Sequence, residues 1–195
     1  MQAPPVDELV FGTDGWRDII ADRFTFGNVA RCAQAYAEHL LERDQTVAVV
    51  GFDTRFAGDR FARVVAEVLS ANGVTALLSA TFAPTPAVSF AVRHFGAGGA
   101  VMLTASHNPP HWHGLKIKGP YGGTATEAIY RDVAARVRRT GAGDVKRGTA
   151  GGAPIEVVDL RAPYYEGLGS LVDTEALAGL EGTVVHDSMG GAASG

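Results

Sequence analysis

The stretch TASHNPPHWHG, Thr104 to Gly114, concentrates the groups of this chain that could do chemistry. It holds one hydroxyl beside an imidazole, Ser106 and His107, two further imidazoles, His111 and His113, and the pair Pro109-Pro110. As an anion site, the stretch would offer backbone N–H groups and the polar side chains of Thr104, Ser106 and Asn108. The prolines hold it extended and keep Asn108 out of helical conformation. Such stiffening is useful where a reacting hydroxyl must be held at a fixed angle. As a Ser-His hydrolase it is poor, because adjacent side chains diverge and no G-x-S-x-G elbow is present. As a metal site, His-x-His spacing on a strand would put both rings on one face. No cysteine or acidic cluster lies nearby to complete the set, so a satisfied loop histidine is the better reading. Ser, Asn and Pro are also ordinary turn formers.

Other cations could serve such a site. Lys116 and Lys118 alternate after the loop and would face one side of a strand, either as a solvated pair or as charge beside a phosphate. Arg17 follows the two glycines of GTDGWR, which allow close backbone approach. The terminal SMGGAASG matches neither the P-loop nor the dinucleotide fingerprint, so no nucleotide site is assigned.

These residues need elements to hold them. FGTDGWRDII reads as a strand interrupted by a glycine turn. Asn28 to Arg43 reads as a helix with Val29, Cys32, Ala33, Tyr36, Leu40 and Leu41 on one face. Thr46 to Phe52 is an uninterrupted apolar strand suited to a sheet covered on both faces. Phe61, Val64, Val65, Val68 and Leu69 mark a helix stopped by Asn72-Gly73, and Val74 to Leu78 a further strand. Thr85 is expected to cap a helix with Pro86 at its first position. Ala100 to Leu103 is a short strand running into the serine stretch. Leu115 to Lys118 reads as a strand and Glu127 to Arg138 as a helix, followed by a glycine-rich connection over 139–154. The alternation specifies an α/β fold, a three-layer α/β/α domain with a mostly parallel mixed sheet. In such sheets ligands gather outside the carboxyl ends of the strands. The loops DTR and TASHNPP, far apart in sequence, should therefore share one rim. Near the end, Thr183 to Asp187 reads as a strand entering a glycine-rich turn. A covering helix should follow such a strand, so the expected organisation is a domain over 1–150 and, over 151–195, a linker with the cut start of a second domain.

Composition narrows the partners. The 195 residues are 46% hydrophobic and 19% charged with a net charge of −4, ordinary values for a globular chain. Nothing in that balance invites nucleic acid or an anionic membrane. Cys32 is the single cysteine, so no intrachain disulfide forms and a cytoplasmic location is favoured. The first ten residues lack the basic start and apolar core of a signal peptide. The longest apolar stretch, near Ala87 to Leu103, is broken by Arg93 and His94.

Taken together, FGTDGWRDIIADRFTFGNV, VVGFDTRF, TASHNPPHWHGLKIK and VVHDSMGGAASG resemble the α-D-phosphohexomutases, and among them the bacterial phosphoglucomutase/phosphomannomutase branch. The resemblance runs from Phe11 to Gly195 and implies the first of four domains plus the entry strand of the second. It implies that Ser106 carries a transferable phosphoryl group, with His107 beside it. Lys116 would be a general base or acid, Arg17 a support for the phosphoryl group, and Thr104 and Asn108 would shape the loop. The implied reaction interconverts hexose 1-phosphate and hexose 6-phosphate through a hexose 1,6-bisphosphate. The implied cofactor is Mg²⁺, bound to Ser106 through its phosphate, with the remaining ligands expected in a domain outside this sequence. The isolated chain is accordingly expected to be inactive as a mutase and open to self-association through exposed strand edges.

Three positions depart from the family pattern. His113 stands where asparagine is usual, adding a group expected to titrate near neutrality. Trp112 stands for a tyrosine, and Asp18 for a glycine or small residue. A phosphoglucosamine mutase fragment, a non-catalytic phosphate-binding or regulatory phosphoprotein, and a histidine metalloprotein are the alternatives.

Overall fold

The computed structural model describes residues 9–12, 14–148, 150–179 and 181–194. Its elements are β1 (Trp16–Ile19), α1 (Phe26–Leu41), β2 (Val47–Phe52), α2 (Gly58–Ala71), β3 (Thr75–Ser79), α3 (Thr85–His94), β4 (Ala100–Leu103), β5 (Trp112–Lys118), α4 (Glu127–Arg139), β6 (Ile155–Val158), α5 (Arg161–Gly169) and α6 (Thr174–Ala178). The six strands form one sheet in the order β1-β5-β4-β2-β3-β6. Pairings among β4, β2, β3 and β6 are parallel, and β5 runs antiparallel to both β4 and β1.

The pleat sends alternate side chains to opposite layers. Ala48 and Val50 of β2 pack with Val29, Ala33 and Tyr36 of α1, Phe61 and Val65 of α2, and Val133 of α4. Val49, between them, packs on the other face with Val88 and Val92 of α3 and with Leu160 at the start of α5. Apolar stripes at helical spacing supply both layers.

The winding reverses at β2. The chain passes from β2 through α2 to β3 on one side, then through α3 to β4 on the other. The carboxyl ends of β2 and β4 thus flank a switch point, where open α/β sheets place their ligands.

Several expectations are corrected. Thr85 does not cap α3; Pro84 holds the cap position without a side-chain bond. Helix α1 starts at Phe26, because Thr25 provides the cap, its hydroxyl accepting from Asn28 N. Strand β5 starts three residues before Leu115, since β1 pairs with it back to Trp112. Thr183 to Asp187 forms no strand: Val184 and Val185 stand 93% and 86% exposed, with no ladder partner among the described residues. Apart from these corrections, β6 adds to the sheet edge in parallel with β3.

Two glycines let β1 and β5 close on β4. A Cβ on Gly15, at φ +101°, would sit 2.3 Å from Leu115 O. One on Gly114 would sit 2.4 Å from Thr104 O and 2.9 Å from Arg17 Cγ. Gly114→Ala should therefore force backbone apart and cost about 1–3 kcal/mol, the usual range for overpacking. Urea unfolding checks this; a loss under about 0.5 kcal/mol, as at an unconstrained surface site, would contradict it.

Candidate active site

Thr104 to His111 leave β4 and turn over the rim before β5 returns. Thr104 is buried, and its Oγ1 accepts from Ser106 N at 2.9 Å. Asn108 N donates to Ala105 O at 3.1 Å, closing a tight turn. Within it Ser106 takes φ +57°, a left-handed conformation that a non-glycine residue keeps only where its surroundings enforce it. The residue is exposed. His107 is exposed too, its Nδ1 3.4 Å from Ser106 Oγ, long for a hydrogen bond between these groups.

The loop after β2 meets this turn. Arg55 Nη1 donates to Pro109 O and Trp112 O, both at 3.0 Å, and Nη2 to Ser106 O at 2.8 Å and Asn108 O at 2.6 Å. Asp53 holds Arg55 in turn: Oδ1 accepts from Arg55 N at 3.0 Å, and Oδ2 lies 3.5 Å from Nε. Thr54, between them, donates from Oγ1 to Gly190 O at 2.8 Å. A cleft of about 710 Å³ results, lined by Thr54 and Arg55, by Thr104 to Asn108 except Ala105, and by Met189 to Ala193 opposite.

Arg17 and Lys116 lie outside that lining and reach it through a chain of polar contacts. Arg17 Nη1 donates to Asn108 Oδ1 at 2.9 Å. Its Nη2 and Lys116 Nζ share one acceptor, Asp14 Oδ2, at 3.2 and 2.5 Å. Lys116 is buried, on strand β5 opposite Met102. Lys118 is buried as well, its Nζ 3.5 Å from Thr124 Oγ1. Burial lowers the Lys118 pKa, and the charge of Lys116 adds to this while Asp14 opposes it. The two lysines are a buried pair rather than a solvated one.

Structure and sequence part over the histidines. His113 belongs to β5 and is fully buried, stacked on Phe24 at 4.8 Å and edge-on to Phe61 at 5.1 Å. Its Nδ1 accepts from Gly114 N at 2.9 Å, and its Nε2 has no partner among the described residues. Burial pushes its pKa below the ordinary 6.5, the charge of Asp53 and a bond to Gly114 opposing and Arg55 reinforcing the shift. Its charged form is therefore less favoured than its residue type alone suggests. His111 is exposed, so the two rings do not share an environment. Among the described residues no group of three or more His, Cys, Asp or Glu is placed to hold a metal ion.

Sequence reasoning missed Asp14, Asp53, Arg55 and the wall at Met189–Ala193. The signal available for two of them was DTR at the end of an apolar strand. For Asp14 it was the acid between the two glycines of GTDGWR.

An α/β/α domain that presents a hydroxyl at its switch point belongs to the class of open-sheet folds that place their ligands outside the carboxyl ends of the strands. Residues 8–143 match the family described as phosphoglucomutase/phosphomannomutase, alpha/beta/alpha domain I, and the chain belongs to that family. A protein of Thermus thermophilus assigned as a phosphomannomutase superposes with a TM-score of 0.88 and 42% identity, over 96% of this chain and 41% of its own. A phosphoglucosamine mutase of Mycobacterium sp. (strain KMS) is 36% identical over 95% of this chain and 41% of its own length. A phosphoglucomutase of Staphylococcus saprophyticus is 40% identical over 59% of this chain and 22% of its length. The chain thus spans about two fifths, or less, of the relatives it matches. No helix among the described residues is long and apolar enough to cross a membrane.

The buried imidazole of His113 makes a pH prediction. The folded state disfavours the imidazolium, so this contribution to stability is complete above the ordinary pKa near 6.5 and is lost as pH falls below it toward the lowered folded value. The unfolding free energy in urea should therefore decline between about pH 7.5 and about 5.5. His113→Phe should flatten part of that slope, leaving the share of His39, whose pKa burial also lowers. An unchanged slope in the variant would show that His113 protonates equally in both states.

Proposed function

We propose that this chain is the serine-bearing domain of a phosphohexomutase, passing a phosphoryl group between Ser106 and a hexose phosphate. One observation carries the reading: Ser106 is exposed at the switch point, on a turn tied through Asn108 to Arg17. Residues 1–150 are read as that domain. Residues 151–195 are read as the connection toward a second, stitched back to the sheet by β6.

In the charging step the P–O bond to a sugar oxygen of hexose 1,6-bisphosphate breaks as the bond from phosphorus to Ser106 Oγ forms. The serine proton leaves, the sugar oxygen gains a proton, and a hexose monophosphate departs. The reverse step, on the other hydroxyl, completes the exchange between 1- and 6-phosphates. A covalent serine phosphate splits one difficult transfer into two. Phosphoserine carries about −1.5 to −2 charges at pH 7, and Arg17 is the cation best placed to approach it. Lys116 is the candidate base or acid, its ammonium fixed by Asp14. The family resemblance implies Mg²⁺ as well. The described residues hold no ligand cluster for it, so this chain by itself does not fit a divalent cation and no step here depends on one.

Glucose and mannose phosphates are the substrates favoured by the phosphoglucomutase and phosphomannomutase relatives. Amino-sugar phosphate is the second reading, supported by the mycobacterial relative that matches 95% of the chain.

Two measurements test the proposal. Incubation with glucose 1,6-bisphosphate should add one phosphoryl group by intact mass, located on Ser106 by peptide mapping and absent in Ser106→Ala. Conversion of glucose 1-phosphate by the 195-residue chain should be negligible, the sugar-binding walls being expected in other domains. A chain that takes no phosphate from the bisphosphate favours the non-catalytic phosphate-binding or phosphoprotein reading. Turnover near that of an intact mutase would overturn the expected inactivity of the isolated chain.

A further inference from the structure

We infer that Arg55 is the positioning residue for the Ser106 nucleophile, acting on the loop backbone and not on the phosphate. The guanidinium has five N–H donors in a fixed fork. Its two terminal nitrogens bond to four loop carbonyls, and Nε faces Asp53. The four Nη hydrogens are thus engaged by the loop, and Nε is turned toward the Asp53 carboxylate.

What those bonds achieve follows from peptide geometry. No cis peptide occurs among the described residues, so the C=O and N–H of each unit point in opposite directions. Turning Ser106 O onto Arg55 therefore turns His107 N–H away from it. Asn108 O and Pro109 O precede prolines, so their peptide units have no N–H to offer a competing partner. Four carbonyls within seven residues, drawn to one cation, make the left-handed turn at Ser106 the conformation in which these four are satisfied together. Thr104 Oγ1, bonded to Ser106 N, fixes the other end. Lysine, with a compact ammonium and three rotating donors, cannot reproduce this span.

The rate arm of the test rests on the phosphoryl-transfer reading; the loop arm does not. Wild type, Arg55→Lys and Arg55→Ala are compared in two measurements on the 195-residue chain. The first is amide hydrogen exchange. The hydrogen-bonded amides of Ser106, Asn108 and Trp112 should exchange faster in both variants, on the order of tenfold, while those of β3 stay unchanged. The unchanged β3 amides establish that the variants are folded. The second is the rate of Ser106 phosphorylation by glucose 1,6-bisphosphate. Its maximal rate should fall about 10²-fold, as expected when a reacting atom is misplaced by about 1 Å, with little change in the half-saturating concentration. Arg55→Lys should rescue little of this despite its charge. Loop exchange that stays at the wild-type rate overturns the inference. So does a Lys variant that keeps the maximal rate while Arg55→Ala mainly raises the half-saturating concentration, which would make Arg55 an anion ligand. A wild-type chain that accepts no phosphate defeats the transfer reading alone, and the exchange result still decides the role of Arg55.

Discussion

Ser106 can face the cleft only because the carbonyl oxygens of its loop face the other way. Buried or half-buried carbonyls must be satisfied, and two consecutive prolines remove the N–H groups that a helix or hairpin would need. The loop therefore supplies only part of its own hydrogen bonding, from Asn108 N to Ala105 O and from Trp112 N to Pro109 O. A side chain from the neighbouring strand end adds further bonds, and it reaches the loop because β2 and β4 lie side by side in the sheet. The strand order is thus a condition of the site's geometry. A topology that separated β2 from β4 would take Arg55 away from these four carbonyls, leaving those of exposed Ser106 and Pro109 to water and the turn without its common anchor.

The antiparallel return of β5 is the second condition. It lays Lys116 opposite Met102 and brings Gly114 against β1, so that Arg17 and Asp14 stand beside the loop. Packing there is too close for a Cβ at Gly114 without backbone movement, and His113 fills the adjacent space as an aromatic body against Phe24 and Phe61. An imidazole is flat enough to stack in that space, and its Nδ1 accepts the Gly114 N–H at the point where the strands close. The cost is an Nε2 left without a partner among the described residues.

The helical stripes of α1, α2 and α4 and the apolar strands β2 and β4 were legible because burial on both sheet faces writes itself as periodicity. Alternation of strand and helix fixed the fold class, and the rim shared by DTR and TASHNPP followed from it. The partner of Arg55 was not legible, because it is four backbone oxygens whose direction depends on tertiary closure, and carbonyls have no letter in the sequence. The environment of His113 was not legible for a related reason: residue type reports an unperturbed pKa, while burial beside two phenylalanines lowers it. Thr183 to Asp187 has the composition of a strand, but Val184 and Val185 meet no sheet edge, and a strand without a partner does not form.

Asp14 raises a question of charge that the site must resolve. A carboxylate near a phosphoryl site repels the ligand, yet this one sits between Arg17 and Lys116. Its Oδ2 accepts from Arg17 Nη2 and Lys116 Nζ together, so one carboxylate offsets two cations held close to one another in a partly buried space. On the phosphoryl-transfer reading proposed above, a dianionic phosphoryl group on Ser106 would carry more charge than this single carboxylate and would compete with it for Arg17, whose bond to Asn108 already ties it to the loop.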